Sequence, residues 1–363
     1  MKKGQKLYIS AKKIILGGNM LLSKRPEIFL PELWPAYFSK AQGINVWDLN
    51  KIKYTDMICA VGQSILGYSN KKLNSKIIKI IKMGNMTTLN CPEEVELTKK
   101  LLSLHPWAQM AKYARSGGEA NAIAIRIARA ASKKDEVAIC GYHGWHDWYL
   151  SVNLKGKNKL SKHLLKGLEP VGVPRSLKNS VHPFTYGNYE ELVKIVKNKN
   201  IGTIKMEVSR GNLPDVSFLK KVRKLATKKK IILIFDECTS GFRQCFGGLH
   251  MKYKVYPDIA MFGKALGNGF AITSVIGKKA IMQKAGNSFI SSTFWTERIG
   301  FVAGVETLKL MNNKKSWKKI VESGKYFNLK IKNLSLKYDL SIKISGIESI
   351  TSFNFISKNN IAY

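Results

Sequence analysis

The chain is short of acidic residues. Against 61 Lys+Arg it carries 24 Asp+Glu, a formal net charge of +37 at pH 7 over 363 residues. Such an imbalance invites a nucleic-acid or anionic-membrane partner. The basic residues are scattered, however, and no nucleic-acid-binding motif accompanies them, so neither partner is expected. The densest runs, Lys220-Lys221 with Arg223-Lys224 and Lys228-Lys229-Lys230, lie in SFLKKVRKLATKKK. There they read as the solvated face and C-terminal end of one helix. Cysteine is also scarce. Cys59, Cys91, Cys140, Cys238 and Cys245 are odd in number, widely spaced and contain no C-x-x-C pair, which argues against a disulfide framework or a zinc site. A reducing cytoplasm fits best. No run approaches the roughly 20 apolar residues that span a bilayer. IILGGNMLL, after the basic N-terminus, is too short and too broken by Gly-Gly-Asn for a signal peptide. Internal repeats and low-complexity tracts are missing as well.

What is present is a globular pattern. Apolar content is 45%, and the length accommodates one large domain plus a smaller one. EVAIC (136–140), IGTIKMEV (201–208), IILIF (231–235), DIAMF (258–262) and ITSVIG (272–277) read as strands. Amphipathic segments such as YEELVKIVKNK and SFLKKVRKLATKKK lie between them. The alternation predicts an α/β fold, a mostly parallel sheet with helices on both faces. The first 60 or so residues suggest short strands and loops. After about residue 290 two helices lead to the β-like segments SIKIS and SITSFNFI. The expected division is an N-terminal segment at 1–62, a large domain at 63–287 and a smaller α/β unit at 288–363 that looks incomplete at its C-terminal end.

Four stretches could carry chemistry. In RSGGEANAIAIRIARAA, Ser116 and Glu119 form an S-x-x-E capping box ahead of helically spaced apolar residues. Gly117 and Gly118 leave the backbone N–H groups of the helix start open to an anion, although a well-capped helix needs no ligand. GYHGWHDWY follows a strand and offers Tyr142, His143, His146 and Asp147. A ring stacked on a planar ligand and a packed aromatic loop explain it equally well, while a His143–His146 metal pair is weakly supported. Asp236 ends the apolar run IILIF, where a buried carboxylate needs a positive partner; a helix cap or a pair with Arg243 would also justify it. In MFGKALGNGF, Lys264 follows a strand and is flanked by glycines. A lysine kept dry there becomes a usable amine. Together, a phosphate anchor, a stacking ring, a buried aspartate and a desolvated lysine meet the needs of pyridoxal 5′-phosphate.

The motifs SGGEA, GYHGWHD, LIFDECTSGFR, FGKALGNG and SSTFWTERIG, with FLPELWPAYFSKAQGINVWDLN near the start, resemble those of class III aminotransferases, more closely the glutamate-1-semialdehyde aminomutase-like branch. The resemblance implies a fold-type-I enzyme, normally a homodimer with shared active sites, acting on a small-molecule amino donor and a carbonyl acceptor. Carried over, Lys264 forms the Schiff base and Asp236 pairs with the ring nitrogen. Ser116, Gly117 and Gly118 hold the phosphate. Tyr142 and His143 line the ring, and Cys238 stands behind it. Ser292 and Thr293 reach the phosphate of the neighbouring subunit, and Glu207 faces the substrate. Gly118 stands where the family has Thr or Ser, so only backbone donors are expected there. Val208 replaces a proline, Thr239 a glutamine. GKALGNGFAITSVIG is unlike the Gly-rich form of dedicated aminomutases, which favours ping-pong transamination over intramolecular amino transfer. A cofactor-binding protein without turnover is the remaining alternative.

Overall fold

The computed structural model describes residues 1–156, 169–209, 211 and 214–356. It divides into two compact units, Met1–Met83 and Gly84–Tyr363. The first holds a helix at Lys3–Ile14, three antiparallel strands at Phe38–Gln42, Asn45–Asp48 and Lys53–Thr55, and a helix at Lys71–Met83. The strands fit the expectation for this region. The helix at Lys3–Ile14 does not, and it buries Gly4, Tyr8 and Ala11 on one side.

The second unit is built on seven strands, β1 (Met110–Ala114), β2 (Glu136–Cys140), β3 (Val181–Pro183), β4 (Ile201–Glu207), β5 (Ile232–Asp236), β6 (Ile259–Phe262) and β7 (Thr273–Gly277). Their order across the sheet is β1-β7-β6-β5-β4-β2-β3. Neighbours from β6 to β3 pair in parallel, and β7 alone runs against both of its neighbours. The α/β architecture read from the sequence is therefore the one observed. β1 and β3 escaped that reading: MAKYA is mostly half-buried and carries a lysine, and VHP is three residues long.

Alternating side chains divide the core into two layers, as a sheet covered on both faces requires. Ile232 and Ile234 of β5 pack with Ile139, Ile259 and Met261 under helix α1 (Gly117–Ser132), which contributes Ile123, Ala124, Ile127 and Ala128. Leu233 and Phe235 face the other way, onto Leu192 of α2 (Tyr189–Asn198) and Phe218, Leu219 and Val222 of α3 (Val216–Lys228). The basic run on α3 is only partly the solvated face anticipated. Lys220, Lys221 and Lys228 are exposed, whereas Arg223 Nη1 donates to Asp258 Oδ2 at 2.9 Å. After the sheet come α4 (Arg298–Lys314), a further helix at Ser316–Lys337, and an antiparallel strand pair, Ile342–Ser345 with Ser352–Phe355.

Asp258 ties three elements together. Besides Arg223 it accepts from Leu233 N at 2.9 Å and from Lys278 Nζ at 2.7 Å. Burial pushes its carboxyl up, but Arg223, the Leu233 N–H and Lys278 outweigh burial and hold it below the usual carboxylate range. A carboxyl held low contributes stability above its unfolded value and loses that contribution as pH falls through the folded one. Asp258→Ala should therefore lower unfolding stability by about 3 kcal/mol near neutrality, with the gap to wild type narrowing as acid is added. Denaturant titrations at several pH values measure it, and an unchanged gap would contradict the assignment.

Candidate active site

Because β2, β4, β5 and β6 run parallel, their C-terminal ends lie along one edge of the sheet, where open α/β sheets place ligands. Register sets Cys140 beside Met206, Glu207 beside Asp236 and Asp236 beside Met261. The segments bearing Tyr142 and His143, Glu207, Asp236 and Lys264 thus leave the sheet side by side.

Asp236 is 4% exposed. Its Oδ1 accepts the Cys238 N–H at 3.1 Å, and its Oδ2 lies 2.9 Å from His143 Nδ1 and 4.0 Å from Lys205 Nζ. Burial raises its carboxyl; the Lys205 ammonium, then His143 and the Cys238 N–H, more than reverse this and keep it ionised far below the ordinary range. The anticipated alternatives, a helix cap or a pair with Arg243, are not what balances it. Arg243 Nε instead donates to the Thr239 carbonyl at 2.7 Å.

Lys264 opens a short turn, Lys264–Leu266, with φ at +44°. This left-handed conformation is uncommon for a non-glycine residue and costs some free energy. Its Nζ donates to Thr239 Oγ1 at 2.9 Å. Burial, the largest cause, pulls the Lys264 ammonium below an ordinary lysine; Cys238 opposes this and Arg243 reinforces it. The amine is therefore easier to deprotonate than that of an ordinary lysine. Thr239, expected near the cofactor as the replacement for the family's glutamine, lies within hydrogen-bond reach of Lys264, and Arg243 joins the site through the Thr239 carbonyl.

At the start of α1 the capping box forms as anticipated. Glu119 N donates to Ser116 Oγ at 3.3 Å, while Glu119 Oε2 accepts the Ser116 N–H at 2.8 Å. The first N–H groups of a helix have no intrahelical acceptor, and here they belong to Gly117 and Gly118. A Cβ on Gly117 would meet nothing nearer than Cys238 Sγ at 3.9 Å. Gly118 differs. A Cβ there would come within 3.1 Å of His146 Cδ2 and 3.3 Å of His146 Nε2. A Thr or Ser side chain there would press on this imidazole, whose buried Nε2 has no hydrogen-bond partner among the described residues. Arg115 then fastens this helix start to the Thr293–Thr296 turn, donating to the carbonyls of Phe294, Trp295 and Glu297 at 2.8, 3.0 and 2.6 Å.

His143 is fully buried behind Asp236, so it orients that carboxylate rather than lining open space. Among the described residues no group of three or more His, Cys, Asp or Glu could hold a metal ion. Tyr142 is 36% exposed, its ring edge-on to Tyr149. The Glu207 carboxylate accepts the Tyr142 N–H at 3.1 Å. This contact needs the glycine before Tyr142: Gly141 has φ at +110°, and a Cβ there would sit 2.5 Å from Glu207 Oε2. Ser292 and Thr293 are exposed, at the start of the turn that Arg115 holds.

The sequence profile described as Aminotransferase class-III matches residues 32–362. The chain belongs to that family. It is 32% identical over 356 residues to 3-aminobutyryl-CoA aminotransferase of Cloacimonas acidaminovorans, covering 95% of this chain and 82% of that protein. It is 31% identical over 369 residues to glutamate-1-semialdehyde 2,1-aminomutase of Wigglesworthia glossinidia brevipalpis, covering 98% and 83%. In fold it is similar to the pyridoxal phosphate internal-aldimine form of FumI from Sphingopyxis sp. MTA144, with a TM-score of 0.87 at 22% identity over 97% of this chain and 83% of that one.

Class III aminotransferases depend on pyridoxal phosphate, and the edge of this sheet fits that group. An ionised buried carboxylate, a desolvated amine and a glycine-lined helix start meet around Cys238, whose Sγ is 3.4 Å from a Cβ built on Gly263 and 3.9 Å from one on Gly117. Crowding by His146 also makes a prediction. Gly118→Thr should destabilise the fold by about 1–3 kcal/mol through overpacking, and His146→Ala in the same chain should recover most of the loss. Thermal unfolding of the two variants tests this; equal losses in both would contradict it.

Proposed function

We propose that this chain catalyses ping-pong transamination, taking an amino group from an amino donor and passing it to a carbonyl acceptor. The observation that carries the reading is the pairing of a desolvated Lys264 with a fully compensated Asp236 at neighbouring strand ends. When bound, pyridoxal phosphate supplies an aldehyde that condenses with amines and a ring that draws electrons from the bond being broken. Asp236 would hold the ring nitrogen and stabilise its proton. Gly117 and Gly118, with Ser116, would bind the phosphate through the helix start. Tyr142 would cover one ring face, with Cys238 behind the other. Thr239 would orient Lys264. The Lys264 amine would hold the cofactor's aldehyde group and, when free, would act as general base for the proton on the donor Cα.

The working unit in this reading is a homodimer, with Ser292 and Thr293 serving the phosphate site of the neighbouring subunit. Exposed Trp145 and Phe294, at 68% and 67%, support it, since both flank the Gly117 end of α1 and large apolar residues left open at a site commonly meet a partner. The five cysteines are free thiols, which supports a cytoplasmic location. No helix among the described residues is long and apolar enough to cross a membrane. Intramolecular amino transfer is the second reading, supported by the similarity to aminomutases.

Three measurements test these points. Incubating the cofactor-loaded protein with candidate amino donors alone should convert the bound cofactor to its amine form and release one equivalent of carbonyl product. No conversion by any donor would overturn the transaminase reading. Glutamate-1-semialdehyde supplied alone should yield no 5-aminolevulinate; steady formation would favour the mutase. Because burial lowers the Lys264 pKa, capture of pyridoxal phosphate by the apoprotein should accelerate with pH through a midpoint below the roughly 10.4 of a free lysine. A midpoint at or above that value would contradict the desolvated amine.

A further inference from the structure

Lys205 is the most improbable residue of the core. It lies in the middle of β4, all seven of whose residues are buried, and its own exposure is 0%. Alternation along β4 turns Lys205 and Glu207 away from Ile204 and Met206, which pack toward α3. Lys205 therefore points to the α1 layer, the side on which Asp236 also lies. Its Nζ reaches past β5 to donate to Met261 Sδ at 2.9 Å, and it lies 4.0 Å from Asp236 Oδ2. A thioether is a weak acceptor, so charge compensation for a buried ammonium falls to Asp236, the partner in its ion pair. That carboxylate is also engaged by His143 and by the Cys238 N–H.

We propose that Lys205 is a positioning residue that competes with the cofactor's ring nitrogen for the charge of Asp236 and so makes that nitrogen less basic than it would be above an apolar residue. The inference rests on the reading of Asp236 as the ring-nitrogen partner. The physical argument is like-charge repulsion around one carboxylate. A cation already paired with Asp236 disfavours a second proton arriving on the opposite side. Burial pulls Lys205 below an ordinary lysine while Asp236 pulls it back. If Lys205 instead gives up its proton when the ring nitrogen docks, the effect keeps its sign, because releasing that proton opposes binding. A lysine here therefore moderates the ring as an electron sink. It does so from beneath the site, without touching substrate or cofactor.

The test compares wild type with Lys205→Met, which keeps the side-chain volume and removes the charge. Apoprotein of each is titrated with pyridoxal phosphate and with its 1-deaza analogue, which has carbon in place of the ring nitrogen. The variant should bind pyridoxal phosphate about tenfold more tightly than wild type, equivalent to one pKa unit at the ring nitrogen, and the deaza analogue with unchanged affinity. A purely structural role would shift both compounds together. Equal shifts, no shift, or weaker binding of pyridoxal phosphate alone would each overturn the proposal. If neither compound binds wild type, the reading of Asp236 fails and the proposal with it. Should Lys205→Met not fold, 15N NMR of ring-labelled cofactor on the wild type decides. The ring nitrogen should lose its proton within the pH range over which the fold survives, and a nitrogen protonated throughout that range would contradict the role given to Lys205.

Discussion

A single carboxylate, buried at the end of a central strand, organises this molecule. Asp236 can remain ionised in the interior only because a lysine, a histidine and a backbone N–H surround it, each from a different part of the chain. Lys205 comes from β4, His143 from the loop after β2, and Cys238 N from the turn that Asp236 itself begins. An isolated charge there would cost several kcal/mol. The surrounding sheet must therefore be assembled in one register, because a slip by one residue on β4 would turn Lys205 into the opposite layer.

Around that charge the site is a set of close approaches. Gly141 lets the Glu207 carboxylate meet the backbone of Tyr142, and Gly263 lets the start of the Lys264 turn pass Thr273, whose Cγ2 a Cβ there would meet at 3.0 Å. Arg115 binds three carbonyls of the 294–297 segment, those of Phe294, Trp295 and Glu297. The helix start that would hold a phosphate and the turn bearing Ser292 and Thr293 are thus one mechanical unit. The His146 ring packs beside Gly118, where a Cβ would meet its Cδ2 at 3.1 Å.

Much of this was legible in the order of residues. Apolar runs such as IILIF are strands because both faces of a parallel sheet are covered, and the Ser116–Glu119 box marks a helix start by local hydrogen bonding alone. Lys264 and Asp236 stood out because a charge next to glycines or after an apolar run is locally anomalous. Lys205 did not stand out. In a chain so rich in lysine, IGTIKMEV looks like a strand with one solvated residue, and only the packing of α1 over β4, β5 and β6 makes that residue fully buried. The contact of His143 with Asp236 depends on the path of the loop after β2, which no local pattern encodes. The helix at Lys3–Ile14 was hidden by its own lysines, which dilute the apolar stripe to Tyr8 and Ala11.

Lys205 is fully buried and Lys264 half-buried near Asp236, and in the proposed reading their tasks are opposite: Lys264 would capture the carbonyl and Lys205 would only adjust the charge beneath it. Borohydride reduction of the protein loaded with pyridoxal phosphate, followed by peptide mapping, separates them directly. One equivalent of label on Lys264, with none on Lys205, is the result this structure predicts. Label on Lys205, label spread over surface lysines, or no label at all would contradict it.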